Sequence, residues 1–288
     1  MTGQALLGMD LGTSGAKAIL LGADGRLLAE AEAGYPVDSP HPGWAETDPP
    51  AWWRAVATAV RAAHDRAGGV DVAAVGVDGQ MHGLVLTDAA GRPLRPALLW
   101  ADARAVEETA AWRRLPEPRR AALANPIVPG MTGPLLRWVA RHEPRTYQRA
   151  RWALLAKDWI RHRLTATAAT DPSDASATLL WDLPADRWAH DVAAEVGVEA
   201  ELLPQWSDRA IRPGGHPAAG RRQGARAAGG HPGRGGRGRH GRRAAGHWPG
   251  RPGGGAAVGR HRRSDRAARA PPGAGVGAPH PSLPGRRT

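Results

Sequence analysis

The first apolar stretches of the chain are short and are separated by turn signals. Ala5–Leu11 and Ala16–Leu21 flank the turn Gly12-Thr13-Ser14-Gly15, and Leu27–Ala31 follows a second turn at Ala23-Asp24-Gly25. Short apolar runs bounded by such turns are typical of strands joined as hairpins. The pattern therefore predicts a three-stranded meander at the start of the chain, rather than a strand followed by a crossover helix.

A helix is predicted after this meander. Asp48 fits the N-cap position, Pro49 and Pro50 fit the first turn, and Gly68-Gly69 ends the helix. The apolar residues that recur at helical spacing, and that are predicted to form its buried face, are Trp53, Val56, Ala57, Val60 and Ala63.

Strands and helices continue to alternate farther along the chain. Further strands are predicted at Val70–Val77, Leu84–Thr87 and Pro96–Trp100. Further helices are predicted at Asp102–Arg114, Pro134–His142 and Lys157–Leu164. A meander, a helix and then more strands fit an α/β domain with a mixed sheet. This order resembles the ribonuclease-H-like core of the actin and hexokinase type, which sugar kinases share.

The charge of the chain divides sharply near residue 214. The 288 residues carry a net charge of +12, but residues 214–288 hold 16 arginines and a single acid, Asp265, for a net charge of +15. Residues 1–213 hold 23 basic and 26 acidic residues, for a net charge of −3. The basic character therefore belongs to residues 214–288 and says little about the partners of the rest.

Residues 214–288 also differ in composition. They contain 21 glycines, nine prolines, one leucine and no isoleucine, so they offer too little apolar surface for a core. We expect a folded domain over residues 1–213 and a disordered tail over residues 214–288.

Several classes of protein are disfavoured by simple absences. The 288 residues contain no cysteine, which excludes disulfides, thiolate metal ligands and cysteine nucleophiles. No signal peptide is evident, and no apolar run approaches the roughly 18 residues of a membrane helix. We expect a cytoplasmic protein without a membrane partner; its oligomeric state is left open.

The turn between the first two predicted strands is the first candidate for chemistry. A strand–turn–strand pattern can bring backbone N–H groups at Gly12 and the hydroxyls of Thr13 and Ser14 together around a phosphate. Asp10, at the end of the first strand, is placed to hold a metal ion through water, and Lys17 can offset phosphate charge. The spacing differs from that of a P-loop, whose lysine opens a helix. A plain hairpin turn is the alternative interpretation.

Two further segments carry candidate sugar-binding groups. Gln80, Met81 and His82 follow a predicted strand, where an amide and an imidazole suit hydrogen bonding to a polyol; a polar loop with a solvated histidine is the alternative. Asp102 can accept hydrogen bonds from sugar hydroxyls while Arg104 orients its carboxylate. An N-cap aspartate followed by a surface arginine is the alternative for that pair.

Together these segments resemble the FGGY carbohydrate kinases in order and in spacing, over essentially all of residues 1–210. Gln80-Met81-His82 is similar to the segment that separates members acting on D-xylulose from members acting on glycerol or gluconate. The resemblance extends through His41–Pro49, Pro129–Thr132, Leu136–Trp138, Leu155–Trp159 and Thr170–Ser176.

The resemblance implies two actin-like domains, with ATP and a sugar in the cleft between them. It implies transfer of the γ-phosphoryl group from Mg-ATP to the 5-hydroxyl of D-xylulose. Asp10 would support Mg²⁺, Gly12–Ser14 and Lys17 would face the phosphates, and Met81-His82, with Gln80, would contact the sugar.

The sequence departs from the family pattern at a few of these positions. Asp102 stands where members often place a sugar-facing carboxylate, but the usual Asn-Asp-Gly-Arg is replaced by Ala101-Asp102-Ala103-Arg104. Asp78 replaces a small residue before Gly-Gln, and Met131 stands where phenylalanine is common. None of these changes removes a catalytic group.

One catalytic segment of the family has no counterpart in these 288 residues. Phosphoryl transfer depends on positioning and electrostatics, with a carboxylate to accept the hydroxyl proton. In this family that base is the aspartate of a Gly-x-Gly-Asp-(Asn/Thr)-x-Ala segment in the second half of the chain, and no such segment occurs here. We therefore expect the chain as written to be inactive or nearly so.

The tail has the composition expected of a GC-rich gene read in a shifted frame. With permitted codons, the stretch 231–241, read one base later, can encode IPVAAGAGDT, which is similar to the missing catalytic segment. The same shift permits GTGLVDP from 246–253 and QLSVGTG from 256–262, which resemble the next family segments in the correct order. We infer a base insertion or deletion close to codons 212–217.

Two other functions are compatible with parts of the sequence. Another FGGY member, acting on ribulose or a related polyol, would carry most of the same motifs. A nucleic-acid-binding protein with an Arg/Gly arm belongs to a different class, but the tail has only Trp248 as an aromatic residue and no regular RGG repeat. We expect nucleic acid binding through the tail to be non-specific.

Overall fold

The computed structural model describes residues 4–206, so the predicted tail and the predicted boundary between residues 213 and 214 lie outside the described part of the chain. The N-terminal elements are the strands β1 (Gln4–Leu11), β2 (Gly15–Gly22), β3 (Leu27–Gly34) and β4 (Glu46–Thr47), the helix α1 (Pro49–Arg66), and the strand β5 (Asp71–Gly79).

The main sheet has the strand order β3-β2-β1-β5. β1 pairs with β2, and β2 with β3, in antiparallel register, whereas β1 and β5 are parallel. The predicted meander and mixed sheet are thus confirmed. Because side chains alternate along a strand, Ala16, Ala18 and Leu20 of β2 are buried on one face of the sheet.

Helix α1 packs against this face, but its buried stripe differs from the predicted one by about one residue. Trp52 is 1% exposed and Trp53 is only half-buried. Trp52 is drawn inward because its ring packs edge-on against the rings of Tyr35 and Trp159, at centroid distances of 6.3 and 6.4 Å. Asp48 holds the N-cap position without a capping hydrogen bond from its side chain.

The rest of the described chain consists of short elements. These are β6 (Val85–Thr87), β7 (Ala97–Leu98), α2 (Thr109–Arg113), α3 (Glu117–Leu123), α4 (Thr132–His142), α5 (Pro144–Arg149), β8 (Trp152–Leu154), α6 (Ala156–Thr165), β9 (Ala169–Thr170), α7 (Pro172–Ser176), β10 (Trp181–Asp182), β11 (Arg187–Trp188), α8 (His190–Glu195), a 3₁₀ turn (Ala200–Leu202) and β12 (Gln205–Trp206).

Two hydrophobic cores support these elements. One lies between the main sheet, α1 and α6, and contains the buried rings of Trp52 and Trp159. The other lies mainly among α2, α4, α7 and α8 and contains Trp112 and Trp181. In the region between residues 4 and 206, no helix is both long enough and apolar enough to cross a membrane.

The predicted helix Asp102–Arg114 is wrong in its first half, because α2 begins only at Thr109. The Asp102 carboxylate accepts hydrogen bonds from the N–H groups of Ala45, at 2.7 Å, and Arg104, at 2.9 Å, and the Ala103 N–H donates to the Gly43 carbonyl at 2.8 Å. These bonds hold the segment against the loop before α1, and tertiary contacts here override helical propensity.

Candidate active site

The turn between β1 and β2, residues 12–14, is held from behind by Tyr35. The Tyr35 hydroxyl donates to the Gly12 carbonyl, and the Tyr35 N–H donates to the Ser14 carbonyl at 3.1 Å. The side chains of Thr13 and Ser14 are exposed. The turn therefore presents hydroxyl groups to solvent while its carbonyls are engaged within the protein, an arrangement suited to binding an anion.

Tyr35 was not found by reasoning from the sequence, because its partners lie 21 and 23 residues away. Burial, and then the negative charge of Asp10, raise the pKa of Tyr35 above its ordinary value of 10.0. Its hydroxyl is thus protonated at neutral pH and serves as a hydrogen-bond donor to the turn.

Asp10 ends β1 as an exposed carboxylate, beside Asp78 of the parallel strand β5. The register also places Lys17 of β2 opposite Asp10. Carboxylate oxygens with access to water are the ligands that Mg²⁺ prefers. The two neighbouring aspartates at the strand ends thus offer ligands of the type that Mg²⁺ takes, and metal binding at Asp10 stays a prediction.

Lys17 is directed toward β3 rather than toward the turn. Its ammonium pairs with Glu30 at 3.0 Å and with Glu32 at 3.4 Å. The hydrogen bonds with Glu30 and Glu32 raise the pKa of Lys17. Its predicted contribution at the phosphates stays a prediction.

The predicted sugar loop meets the turn through Gln80. The Gln80 backbone N–H donates to the Leu11 carbonyl at 2.7 Å, and its side-chain amide lies 3.4 Å from both the Gly12 carbonyl and the Tyr35 hydroxyl. Gln80 is therefore positioned to join the two candidate segments. Met81 is 59% exposed and His82 is half-buried, so both can contact a ligand on this side of the sheet.

Trp100 provides a second link to the turn. Its indole Nε1–H donates to the Thr13 hydroxyl at 3.2 Å, and the side chain is 47% exposed. Gly130 packs against its backbone so closely that a Cβ there would lie 1.9 Å from the Trp100 carbonyl oxygen. The sequence indicated Trp100 only as the last residue of a predicted strand, and no local signal pointed to its contact with Thr13.

Asp102 lies behind this surface and not on it. It is 1% exposed, and its two carboxylate oxygens accept hydrogen bonds from the Ala45 N–H and from the backbone and guanidinium of Arg104. The geometry differs from the expectation of a sugar-facing carboxylate, because both oxygens face protein donors. It supports a positioning role for Asp102 in the loop that carries Trp100.

Asp102 belongs to a buried group of charges, which we call the Arg104 cluster, made of Glu46, Arg95, Asp102 and Arg104. The Arg104 guanidinium donates to Glu46 at 2.7 Å and to Asp102 at 2.8 Å. Its Cζ also lies 3.6 Å from the ring centroid of Trp44 and 4.9 Å from that of Trp138. Within residues 4–206, Nη1 of Arg104 is the one polar side-chain atom of this cluster that is buried without a partner.

A second charged group, the Lys157 cluster, consists of Lys157, Asp158, Arg161, Asp171 and Asp174. The Lys157 ammonium donates to Asp171 and, at 2.6 Å, to Asp174. The cluster adjoins the candidate site because the Lys157 side chain packs against Gly79, where a Cβ would lie 3.3 Å from that of Lys157. The sequence placed Lys157 at the start of a predicted helix and Asp171 and Asp174 in a segment similar to the family pattern, without indicating that these charges meet.

The carboxyls of the Lys157 cluster differ in their environments. Burial, which outweighs attraction to Lys157 and Arg161, raises the pKa of Asp158 to about 6. Burial also disfavours the charged form of Asp171, but hydrogen bonds from Lys157 and Ser173 prevail and lower the pKa of Asp171 to about 2. Both oxygens of Asp158 are buried without a hydrogen-bond partner in the described part of the chain.

Comparison with known proteins supports the same assignment. Residues 5–211 match the N-terminal domain of the FGGY family of carbohydrate kinases. The chain is 41% identical over 199 residues to the xylulose kinase of Escherichia coli K12, which covers 69% of this chain and 41% of that protein. It is 33% identical over 204 residues to the xylulose kinase of Bacillus subtilis 168. That match covers 69% of this chain and 40% of the Bacillus subtilis protein.

Solved structures agree. A "xyloylose kinase" from Brucella ovis, 39% identical, superposes with a TM-score of 0.65 over 70% of this chain and 42% of that one. A xylulose kinase from Rhodospirillum rubrum, 27% identical, superposes with a TM-score of 0.67 over 70% of this chain and 42% of that one. The chain thus spans about two fifths of the length of the relatives it matches. It belongs to the FGGY family of carbohydrate kinases.

Proposed function

We propose that this chain carries the N-terminal domain of a kinase that phosphorylates D-xylulose to D-xylulose 5-phosphate at the expense of Mg-ATP. The observation that carries the proposal is the hydrogen-bonded junction between the turn at residues 12–14 and the loop that begins at Gln80. A phosphate-binding turn and a polyol-binding loop must adjoin in any enzyme that transfers a phosphoryl group to a sugar. The identity of about 40% to xylulose kinases supports D-xylulose as the sugar.

On the nucleotide side, Gly12, Thr13 and Ser14 would bind the phosphates of ATP. Asp10 and Asp78 would hold Mg²⁺, which neutralises the charge that develops on the phosphoryl oxygens. Tyr35 would keep the turn in place, and Lys17, four residues past Thr13, would add positive charge nearby.

On the sugar side, Met81 and His82 would contact the ketose, with Gln80 connecting them to the phosphate turn. Asp102 and Arg104, which are buried behind the sugar side, would fix the loop that carries Trp100. The alternative within the family is another sugar or polyol, such as ribulose, and the experiment below separates the two.

We also propose that residues 214–288 are encoded out of frame, so that the catalytic aspartate is lost from the chain as written. DNA sequencing across codons 205–290 tests this directly. A second frame that stays open and kinase-like past codon 288 is expected, and a frame closed by stop codons would overturn the proposal.

The activity test compares the 288-residue chain with the frame-corrected protein. ADP formation is measured with D-xylulose, D-ribulose, glycerol and D-gluconate. The frame-corrected protein should show its highest kcat/KM with D-xylulose, and the 288-residue chain should show no activity above background. A higher kcat/KM for another sugar would overturn the substrate, and a fully active 288-residue chain would overturn the need for the missing segment.

Tyr35→Phe tests the nucleotide side, with Tyr147→Phe as its matched control. Each change removes one hydroxyl that is hydrogen-bonded to the backbone. The Tyr35 hydroxyl donates to the Gly12 carbonyl, and the Tyr147 hydroxyl accepts from the Glu199 N–H. Both variants should lose about 1 kcal/mol of stability. In the frame-corrected protein only Tyr35→Phe should raise KM for ATP. An equal KM for ATP in both variants would contradict the proposal that the turn at residues 12–14 binds the phosphates.

A further inference from the structure

Trp100 holds a large aromatic side chain at the surface and directs its one polar group at the turn of residues 12–14. The side chain is 47% exposed, and the indole Nε1–H donates to the Thr13 hydroxyl at 3.2 Å, across a separation of 87 residues. An indole has no hydrogen-bonding group other than this N–H. The whole polar capacity of Trp100 is therefore used on a single atom of the turn.

The backbone on both sides of Trp100 is fixed by hydrogen bonds. The Leu99 N–H donates to the Ala45 carbonyl at 3.0 Å, and the Asp102 N–H donates to the Leu99 carbonyl at 3.0 Å. Behind Trp100, the α-carbon of Gly130 lies so close to the Trp100 carbonyl that there is no room for a side chain. The position from which the indole reaches Thr13 is therefore set by the fold before any ligand binds, as a preorganised site requires.

The hydrogen bond from Trp100 defines what the Thr13 hydroxyl can do. Because an indole N–H can only donate, the Thr13 oxygen must be the acceptor. The hydroxyl has one proton of its own, and that proton is then directed away from the indole. In the described part of the chain the Thr13 hydroxyl donates to no protein group, and the Thr13 side chain is exposed. The hydroxyl is thus left as a donor to a ligand at the turn.

We propose that Trp100 is a positioning residue of the phosphate site, and that its indole N–H orients the Thr13 hydroxyl as a hydrogen-bond donor to a phosphate oxygen. An ionised phosphate oxygen only accepts hydrogen bonds, so a hydroxyl that is already oriented to donate is complementary to it. Without the indole the hydroxyl rotates freely, and ordering it weakens binding. This inference rests on the proposed function, because it assumes that the turn at residues 12–14 binds phosphate.

The hydrogen bond is tested first without a ligand. The 288-residue chain is labelled with ¹⁵N-tryptophan, and Trp100→Phe identifies the indole N–H signal of Trp100. Thr13→Val, which keeps the shape of the side chain but lacks the hydroxyl, should shift this signal, whereas Thr13→Ser should leave it nearly unchanged. The indole of Trp112 donates to the Leu179 carbonyl at 2.8 Å and is the internal control, whose signal should not move. A Trp100 signal that is unchanged in Thr13→Val would overturn the proposal.

Phosphate binding is then tested by titrating the uniformly ¹⁵N-labelled 288-residue chain with inorganic triphosphate. The backbone N–H signals of Gly12 and Ser14 are followed, so that triphosphate bound by the arginines of residues 214–288 is not counted. Trp100→Phe should raise the dissociation constant about threefold to tenfold, as expected for one hydrogen bond. Trp206→Phe, at an indole side chain that is 45% exposed, is the matched control and should leave the dissociation constant unchanged.

A double-mutant cycle separates orientation of the Thr13 hydroxyl from general support of the turn. If Trp100 acts through that hydroxyl, Trp100→Phe should cause no further loss of affinity in the Thr13→Val background. The same loss in both backgrounds, or an unchanged affinity in Trp100→Phe, would overturn the inference and leave the phosphate turn in place. If triphosphate did not bind at the turn of the unmodified chain, the proposed function would be contradicted and the inference would fail with it.

Discussion

The Arg104 cluster and the Lys157 cluster both bury charge behind the candidate site, but their polar atoms are paired to different degrees. In the Arg104 cluster, the carboxylates of Asp102 and Glu46 accept hydrogen bonds from guanidinium groups, and Arg104 stacks on Trp44. In the Lys157 cluster, both oxygens of Asp158 and two nitrogens of Arg161 are buried without hydrogen-bond partners in the described region, and Asp158 is left with ion pairs at 3.8 Å to Lys157 and Arg161.

This difference shows that burial alone does not define the role of a charged group. Where hydrogen bonds satisfy the charges, the cluster fixes a loop, here the one that carries Trp100. Where a carboxyl is buried without hydrogen bonds, its charged form is costly, and the stability of the fold becomes linked to pH.

The largest effect is expected from Arg104→Met, which leaves Asp102 as a buried carboxylate without its guanidinium partner and leaves Glu46 paired with Arg95 alone. Removal of one partner from a buried ion pair typically costs about 3–5 kcal/mol. The Arg104 side chain is 1% exposed, as is expected of such a pair. Thermal and urea unfolding of the 288-residue chain measure the loss.

Arg92→Met is the matched control for this prediction. Arg92 also pairs with an aspartate, Asp88, but its side chain is 79% exposed, and exposed pairs contribute little to stability. Equal losses in the two variants would contradict the role assigned to the Arg104 cluster.

A smaller effect, and one that depends on pH, is expected from Asp158→Asn. The pKa of Asp158 is raised from 3.8 to about 6 in the folded protein. A carboxyl with a raised pKa destabilises the fold above that pKa, and the cost disappears as the pH falls through 6 toward 3.8. The shift corresponds to roughly 3 kcal/mol at pH 8.

Asp158→Asn should therefore stabilise the protein at pH 8 and have little effect at pH 4, as measured by urea unfolding at both values. Asp65→Asn, at an exposed position near the end of α1, serves as the control for loss of one negative charge. A stabilisation that is the same at both pH values would show that Asp158 is charged throughout this range.

The elements that the sequence predicted well are those whose signals are local. β1, β2, β3 and α1 follow from alternation, turn residues and a proline pair within a few residues of each other. The same holds for the turn at residues 12–14 as a hairpin turn, since its residues are adjacent and the strands beside them are clear; phosphate binding there stays a prediction.

The features that the sequence did not reveal depend on distant partners. Asp102 could not be recognised as buried, because the groups that hold it include the Ala45 N–H, 57 residues away. Tyr35 and Lys157 act through contacts of 14 to 23 residues in separation. The one-residue error in the buried face of α1 has the same origin, since the packing of Trp52 on Trp159 joins residues far apart in the chain.

The smallest effect on stability is expected from Lys17→Met, which extends the comparison to charges that are exposed. Lys17 pairs with Glu30 and Glu32 on the open face of the sheet, and its side chain is 41% exposed. Water already screens these pairs, so the midpoint of thermal unfolding should change little, and any change should shrink further at 1 M salt.

Lys17→Gln removes the charge but keeps a polar side chain. Comparing its unfolding midpoint with that of Lys17→Met separates the effect of the lost charge from the effect of an exposed apolar side chain. If either variant were as unstable as Arg104→Met, the distinction between buried and exposed pairs would fail. If both variants are stable, the same substitutions in the frame-corrected protein test whether Lys17 offsets phosphate charge. Such a role requires a higher KM for ATP together with an unchanged unfolding midpoint.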